Sequence, residues 1–191
     1  MYTKTKVARP LGSVSEIRFG THSQILPEGT TAYLQARHFS PIGEMTGSPG
    51  SFADGAVNLN VHQLKDGEVL MAGKGAKNFA WTYRKSIGPA VASTLFYVIT
   101  VDQRLIYPEY LAALINLPTN QAYFQKLSSS SSVASLRKKE LAEFEIPIPT
   151  MQEQQAIAKL AELHKKELMI AEELIQLKKD MYLGTITKLL N

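Results

Sequence analysis

The sequence predicts an α+β fold: a mixed or antiparallel twisted sheet forms a globular domain over residues 1–149, and a long coiled-coil-type α-helix occupies residues 150–191. Three observations support this prediction. Short runs with strand spacing lie early in the chain, helical spacing dominates later, and no proline follows Pro149. The 191 residues suffice for one domain and an extension.

The first strand patterns surround a long loop. TTAYLQARHF predicts a strand that runs into a basic turn at Arg37 and His38. Residues 40–55 are crowded with glycine, proline and serine, which predicts a long loop. The next run, AVNLNVHQL, alternates apolar and polar residues and predicts a strand with one buried face.

Two hairpin strands and a buried strand follow. LKDGEVLMAGKGAKNFAWTYR predicts a turn at Asp66 and Gly67, a strand through Ala72, a glycine loop, and a second strand through Trp81. PAVASTLFYVITV is short and β-branched, so it predicts a buried strand rather than a membrane span.

Helical patterns begin after this strand. YPEYLAALINL predicts a helix with Pro108 in its first turn, and Pro118 ends that helix before TNQAYFQKL forms a second one. SSSSSV predicts a flexible or turn-forming loop, and LRKKELAEF predicts a short helical turn.

The stretch EFEIPIPTMQEQQAIAKL, residues 143–160, predicts a fixed joint between strand and helix. Its alternating apolar residues indicate a strand, and its two prolines confine that strand to a sheet edge or a strand end. Thr150 and Glu153 then have the spacing of a capping box, which predicts a helix start. An ordinary strand-to-helix turn within one domain is the alternative for this stretch.

The C-terminal helix carries a heptad seam. Apolar residues recur every seven positions in two sets offset by four, interrupted at Glu167. We expect this seam to contact a partner helix through Leu160, Leu163, Ile170, Leu174, Leu177 and Met181. A second stripe comprises Leu168, Ile175, Tyr182 and Leu189. The seam favours an antiparallel or intersubunit helix pair; the alternative is a helix that folds back on its own domain.

The net charge of +4 is unevenly distributed. Residues 1–139 hold 15 basic and 8 acidic residues, hence +7, and residues 140–191 hold 6 basic and 9 acidic residues, hence −3. A basic body favours a polyanionic partner, and the alternative is a solvated surface that is positive by chance. The chain has no cysteine, no signal-peptide pattern and no membrane-length apolar run, so we expect a soluble, cytoplasmic protein.

The joint IPIPTMQEQQAIAKLAEL closely resembles the end of a target recognition domain in specificity subunits of type I restriction-modification systems, where an IPxPxxxEQ signature opens the spacer helix. LKDGEVLMAGKG resembles a hairpin of that family, with Glu68 where aspartate is commoner. YPEYLAALINLPTNQAYFQKL, SLRKKELAEFEIPIP and LKKDMYLGTITKLL resemble later family segments. The first 60 residues resemble the family least.

The resemblance implies a non-catalytic, DNA-binding target recognition domain at 1–149 and a spacer or dimerisation helix at 150–191. Family members usually carry two of each, so the chain resembles a half-subunit that pairs with a second copy by two-fold symmetry. The implied partners are double-stranded DNA, a methyltransferase subunit that carries S-adenosylmethionine, and a restriction translocase subunit. A freestanding DNA-binding protein or a silent recognition cassette is the alternative function.

The resemblance also implies that loops of the domain read one half of a bipartite DNA site. Glycines let a backbone approach DNA closely, lysines reach phosphates, and arginine suits guanine edges. The candidate DNA-binding residues are Arg37, His38, Lys74, Lys77, Ser130, Arg137 and Lys138. For the serine-rich loop, a disordered connector is the alternative.

No catalytic constellation is predicted. The four histidines lack metal-ligand spacing, so we expect no metal site and no cofactor bound by this chain. MAGKGAKNF contains glycines and lysines but lacks the GxxxxGK[ST] pattern, which argues against a nucleotide-binding enzyme.

Overall fold

The computed structural model describes residues 7–40, 42–74, 78–128 and 135–190. Its strands are β1 (Ala8–Pro10), β2 (Ser15–Phe19), β3 (Ile25–Leu26), β4 (Ala32–Leu34), β5 (Phe52–Ala53), β6 (Val69–Ala72), β7 (Ala80–Thr82), β8 (Ala90–Ala92), β9 (Phe96–Val101) and β10 (Glu145–Pro147). Its α-helices are α1 (Leu59–His62), α2 (Pro108–Ile115), α3 (Pro118–Ser128), α4 (Lys138–Ala142) and α5 (Met151–Leu190). The predicted α+β class is confirmed.

The strands form three sheets. The central sheet has the order β2-β9-β6-β7 and is antiparallel throughout. A second sheet has the order β3-β5-β4-β8 and is mixed, because β4 and β8 run parallel. The third sheet pairs β1 with β10. The predicted mixture of strand directions is therefore present, divided between separate sheets.

The central sheet lies between helices and the second sheet. Met71 on one face shares a buried cluster with Leu111 of α2. Leu70 and Phe96 on the opposite face share another buried cluster with Leu34 of β4. Because β6 and β9 are buried on both faces, they are nearly continuous apolar runs.

Two strand predictions are wrong in detail. AVNLNVHQL contains the one-turn helix α1 instead of a strand, and its Leu59 and Val61 are exposed, so their alternation marks no buried face. PAVASTLFYVITV contains two strands instead of one. The chain turns between them because β8 pairs with β4 while β9 joins the central sheet. The predicted loop at 40–55 also includes the short strand β5.

The predicted joint is confirmed. In the described chain β10 pairs only with β1, as expected for an edge strand that contains proline. The Thr150 N–H donates to Glu153 Oε2 at 2.8 Å, and the Glu153 N–H donates to Thr150 Oγ1 at 3.3 Å. This reciprocal cap starts α5, which continues through Gly184 to Leu190 as one helix.

Among the residues that the structure describes, the long helix contacts the domain only near its start. Ala158 is buried, and every residue from Lys166 to Leu190 is exposed. The helix therefore does not fold back onto the domain beyond its fourth turn. None of the helices in the described ranges is long and apolar enough to span a membrane.

Candidate nucleic-acid interface

Two loops that the sequence analysis treated separately lie side by side. Lys74 forms an antiparallel bridge with Ser135, and the Leu136 N–H donates to the Gly73 carbonyl oxygen at 2.8 Å. The end of the glycine loop is thereby paired with the end of the serine-rich loop. Two candidates in these loops, Lys77 and Ser130, lie outside the described residues.

Tyr97 holds this pairing in place. Its hydroxyl donates to the Leu136 carbonyl oxygen at 2.5 Å, and burial raises the pKa of Tyr97, so the hydroxyl stays a donor. Its ring lies over Gly73, where an added Cβ would be 2.3 Å from Tyr97 Cε2. Glycine is therefore required at position 73 because the tyrosine ring takes the space of a side chain.

Side-chain amides close the hairpin on either side of the glycine loop. Asn78 Nδ2 donates to the Ala72 carbonyl oxygen at 2.8 Å. Asn116 of the α2 end pairs with both backbone groups of Ala80, each at 2.8 Å, as a further strand would. These bonds fix the two ends of the loop on the buried strands β6 and β7.

The paired loops present three basic side chains. Arg137 and Lys138 are exposed at the start of α4, and Lys74 is half-buried at the bridge. The backbone N–H of Arg137 donates to Glu140 Oε2 at 2.9 Å, which anchors the start of the helix and leaves the guanidinium outside. Within the described chain, these three cations form no ion pair. The paired-loop surface is defined here as Gly73, Lys74, Ser135, Arg137 and Lys138.

The basic turn after β4 is ordered from within. The Gln35 N–H donates to His38 Nδ1 at 3.1 Å, and the His38 ring is 92 % buried, with a pKa lowered first by burial and then by Arg37. Arg37 is half-buried and donates to Ser51 Oγ at 2.8 Å. This conformation does not present the His38 ring for a DNA contact, because the ring points inward. Arg37 remains the accessible cation of the turn, and its DNA contact stays a prediction.

Aromatic rings connect that turn to the hairpin. Phe39 contacts Phe79, Trp81 and Phe96, with ring centroids 5.2, 5.2 and 5.6 Å away. Phe79 and Tyr83, on either side of β7, are buried, and Trp81 between them is partly buried and packs against the same cluster. The turn after β4 and the strand that follows the glycine loop therefore pack on the same aromatic cluster.

Sequence reasoning missed a buried glutamine at the joint. Gln154 is 99 % buried: its Nε2 donates to the carbonyl oxygens of Leu105 and Pro149 at 2.8 and 3.0 Å, and its Oε1 accepts the Tyr107 N–H at 2.8 Å. The sequence showed only a good helix former there. The glutamine of the EQ pair was the available signal, but two of its three partners, Leu105 and Tyr107, lie nearly fifty residues away.

A buried carboxylate was also missed. Glu68 is almost fully buried and accepts hydrogen bonds from Arg18 Nη2 at 2.9 Å, Thr100 Oγ1 at 2.8 Å and the Lys65 N–H at 2.8 Å. These bonds cross three strands of the central sheet at the base of the hairpin. No local pattern reveals the bonds to Arg18 and Thr100, because these residues are 50 and 32 positions from Glu68 in the chain.

The predicted partner-helix residues lie outside the domain contact. All six are exposed: Leu160, Leu163, Ile170, Leu174, Leu177 and Met181. The second stripe is exposed as well. Together the two stripes leave a long apolar helix surface uncovered, larger than scattered surface residues would produce.

Comparisons with solved structures agree with this architecture. The chain is similar to the S subunit of a type I restriction-modification system from M. genitalium, with 14 % identity and a TM-score of 0.63 over 94 % of this chain and 45 % of that one. It is similar to the HsdS subunit from Thermoanaerobacter tengcongensis, with 17 % identity and a TM-score of 0.62 over 89 % and 40 %. A third match, with 15 % identity, a TM-score of 0.58 and coverage of 91 % and 42 %, is a structure on complex assembly of a type I R-M system.

These likenesses show a common fold, and the chain spans less than half the length of each matched structure. No curated protein sequence matches the chain. A family model for the type I restriction modification DNA specificity domain matches residues 45–179, which include the hairpin, the paired-loop surface and the joint. Because this match covers well over half of the sequence, the chain belongs to the type I restriction modification DNA specificity domain family.

Proposed function

We propose that this chain reads one half of a bipartite site in double-stranded DNA and directs a type I methyltransferase, and a restriction subunit, to that site. The observation that carries this proposal is the bridge between Lys74 and Ser135, which joins two loops into one basic surface. Family membership supports DNA as the ligand.

The paired-loop surface has the chemistry that a DNA backbone requires. Its lysines supply charge to phosphates, Arg137 offers the guanidinium fork that matches a guanine edge, and Gly73 lets the main chain approach closely. The domain around it carries the positive excess of the chain. In this proposal Arg37 contacts the same DNA from the turn after β4.

The exposed helix surface is the proposed docking site for the catalytic subunits. Apolar side chains on two sides of α5 can each cover a neighbouring helix, so one side serves a second spacer helix and the other the methyltransferase subunit. Catalysis and S-adenosylmethionine then belong to the partner, and this chain supplies recognition.

Two copies of the chain would pair through antiparallel α5 helices. The seam from Leu160 to Met181 is about 32 Å long at about 1.5 Å per residue. An antiparallel partner brings its C-terminal apolar residues beside a groove of about 900 Å³ between α5 and the α2–α3 corner, lined by Leu114, Leu117 and Leu160. Such a two-fold pair places two recognition domains at opposite ends of one bundle.

The experiment is a methylome. The chain is co-expressed with the methyltransferase subunit of its system, and N6-methyladenine is mapped across the host genome. A new bipartite palindrome is the expected result, because two identical halves face each other. An asymmetric motif would show that a different half completes the site.

Substitutions test whether the methylation motif depends on the paired-loop surface. Replacing Lys74 and Arg137 by alanine is expected to abolish the motif, whereas Lys178→Ala, an exposed lysine on the helix, is expected to preserve it. Absence of any new motif while both proteins are soluble would overturn the proposal in favour of a freestanding or silent recognition protein.

A further inference from the structure

The contact between α5 and the domain is narrow. α5 rests on α2 through small residues, and Ala113 and Ala161 line grooves on both sides of this contact. One groove has a volume of about 570 Å³ and has the charged side chains Arg84 and Glu109 in its wall. The other is the more apolar groove of about 900 Å³ beside the α2–α3 corner. Because the helix sits on a ridge between two grooves, side-chain packing alone offers little resistance to sideways rocking.

Two polar anchors restrain the helix. Gln154 fixes its first turn through three hydrogen bonds. Eleven residues later, Lys165 Nζ contacts Glu44 Oε1 at 2.7 Å, and both side chains are less than one-third exposed. At about 1.5 Å per residue the anchors are about 16 Å apart, so the second one sets the direction of the helix once the first has fixed its start.

Glu44 lies on a tight turn that is hydrogen-bonded to the basic turn after β4. The Ser40 N–H donates to the Glu44 carbonyl oxygen at 2.7 Å, and the Glu44 N–H donates to Ser40 Oγ at 3.2 Å. The Thr46 N–H donates to the His38 carbonyl oxygen at 2.9 Å, next to Arg37. The carboxylate that reaches α5 therefore stands on the segment that carries a candidate DNA contact.

We propose that the ion pair of Glu44 and Lys165 is a positioning strut that fixes the angle between α5 and the recognition domain. Combined with the proposed function, on which this last step rests, the strut sets the spacing between the two half-sites that a paired complex reads. The two residues act through the helix direction and contact neither DNA nor substrate.

Because α5 is long, a small change in its angle to the domain moves its far end by a large distance. The helix from Gln154 to Leu190 is about 54 Å long, so rocking by about 10° around the Gln154 anchor would move its end by about 9 Å. That displacement corresponds to roughly three base pairs at about 3.4 Å per step. A loosened strut would therefore relax the choice of spacer length without changing which bases each half-site contains.

The angle is measured by pulsed electron paramagnetic resonance between two spin labels. The chain has no cysteine, so Ser86→Cys in an exposed turn and Lys179→Cys on an exposed part of α5 give the only labelling sites. Labelled chains are diluted with unlabelled protein to suppress distances between copies. The test variants are Lys165→Met and Glu44→Gln, and the matched control is Lys166→Met, whose lysine pairs with Glu162 of the same helix.

The unsubstituted chain is expected to give one narrow distance peak. Either test variant is expected to widen it by about twofold, because a lost ion pair releases alternative arrangements. The control should keep the narrow peak, and exchanging the charges, with Glu44→Lys and Lys165→Glu together, should restore it. An unchanged width in Lys165→Met and Glu44→Gln overturns the strut, and this outcome requires neither DNA nor a catalytic subunit.

The consequence for spacing is read from the methylome. Lys165→Met is expected to retain both half-sites and to add motifs whose spacer differs by up to about three base pairs. Lys166→Met is expected to keep one spacer. Absence of a motif with the unsubstituted chain would refute the proposed function. It would not affect the distance measurement, which tests the ion pair without DNA. A widened distance peak with a single unchanged spacer would refute the link from strut to spacing.

Discussion

The buried amide of Gln154 allows a quantitative test of the joint. Replacing it by alanine removes two donated hydrogen bonds and one accepted bond. The bond to Pro149 is buried and the other two are partly buried, so water can compensate some of the loss. An unsatisfied buried polar group costs about 1–3 kcal/mol. We therefore expect Gln154→Ala to lower the free energy of unfolding by about 2–4 kcal/mol, despite the better helix propensity of alanine.

The assay is urea unfolding followed by circular dichroism. For a domain of this size the slope is about 3 kcal/mol per M, so the midpoint should fall by about 1 M at unchanged slope. Gln155→Ala is the matched control, because Gln155 is the exposed neighbour in the same helical turn. Its free energy of unfolding should stay within about 0.5 kcal/mol of that of the unsubstituted chain, so its midpoint should move by less than about 0.2 M. Equal midpoints for the two variants would refute the assignment of Gln154 as the anchor of the helix.

Three further predictions concern the interface and the helix. Gly73→Ala should lower the unfolding free energy by about 1–3 kcal/mol, because its Cβ would meet the tyrosine ring above it; Gly55→Ala, which meets nothing within 4 Å, serves as control, and equal melting temperatures would contradict the clash. Lys74→Ala should reduce the salt dependence of DNA binding by a log–log slope of about 1, measured by fluorescence anisotropy at several salt concentrations; a slope equal to that of Lys178→Ala would exclude Lys74 from the interface. Leu174→Asp should convert a sedimenting dimer to a monomer while Lys178→Asp does not, and a Leu174→Asp dimer would exclude the seam as the contact.

Structural features that depend on nearby residues could be predicted from the sequence, whereas features that depend on distant residues could not. The capping box at Thr150 and Glu153, the helix that begins at Pro108 and the turn at Gly67 were predictable, because each depends on residues a few positions apart. The strand predicted for AVNLNVHQL is wrong because strand formation depends on residues elsewhere in the chain. Alternation creates a strand only where a neighbouring strand accepts its hydrogen bonds. In the described chain only the end of this run meets one, where Gln63 bridges Val91 of β8, and the residues around Leu59 form a helical turn instead.

At the candidate DNA-binding surface, too, the sequence identified residue types but not which of them lie together. Lys74 and Arg137 were recognisable as separate basic positions, but their common surface exists because Tyr97 on a third strand holds their loops together. His38 looked equally suitable for DNA by residue type. Its burial depends on Gln35 and Ser51, and the latter follows a long loop whose path the sequence does not specify.

The sequence by itself determined the α+β class, the start of the long helix, its apolar seam and the basic character of the domain, since these follow from local spacing and composition. Tertiary structure decided which loops meet, which polar groups are buried and where the helix points. Gln154 with its distant backbone partners, Glu68 with Arg18, and Lys165 with Glu44 are all pairs separated by many residues. Such contacts form only when folding brings the segments together, and their geometry depends on the packing of everything between them.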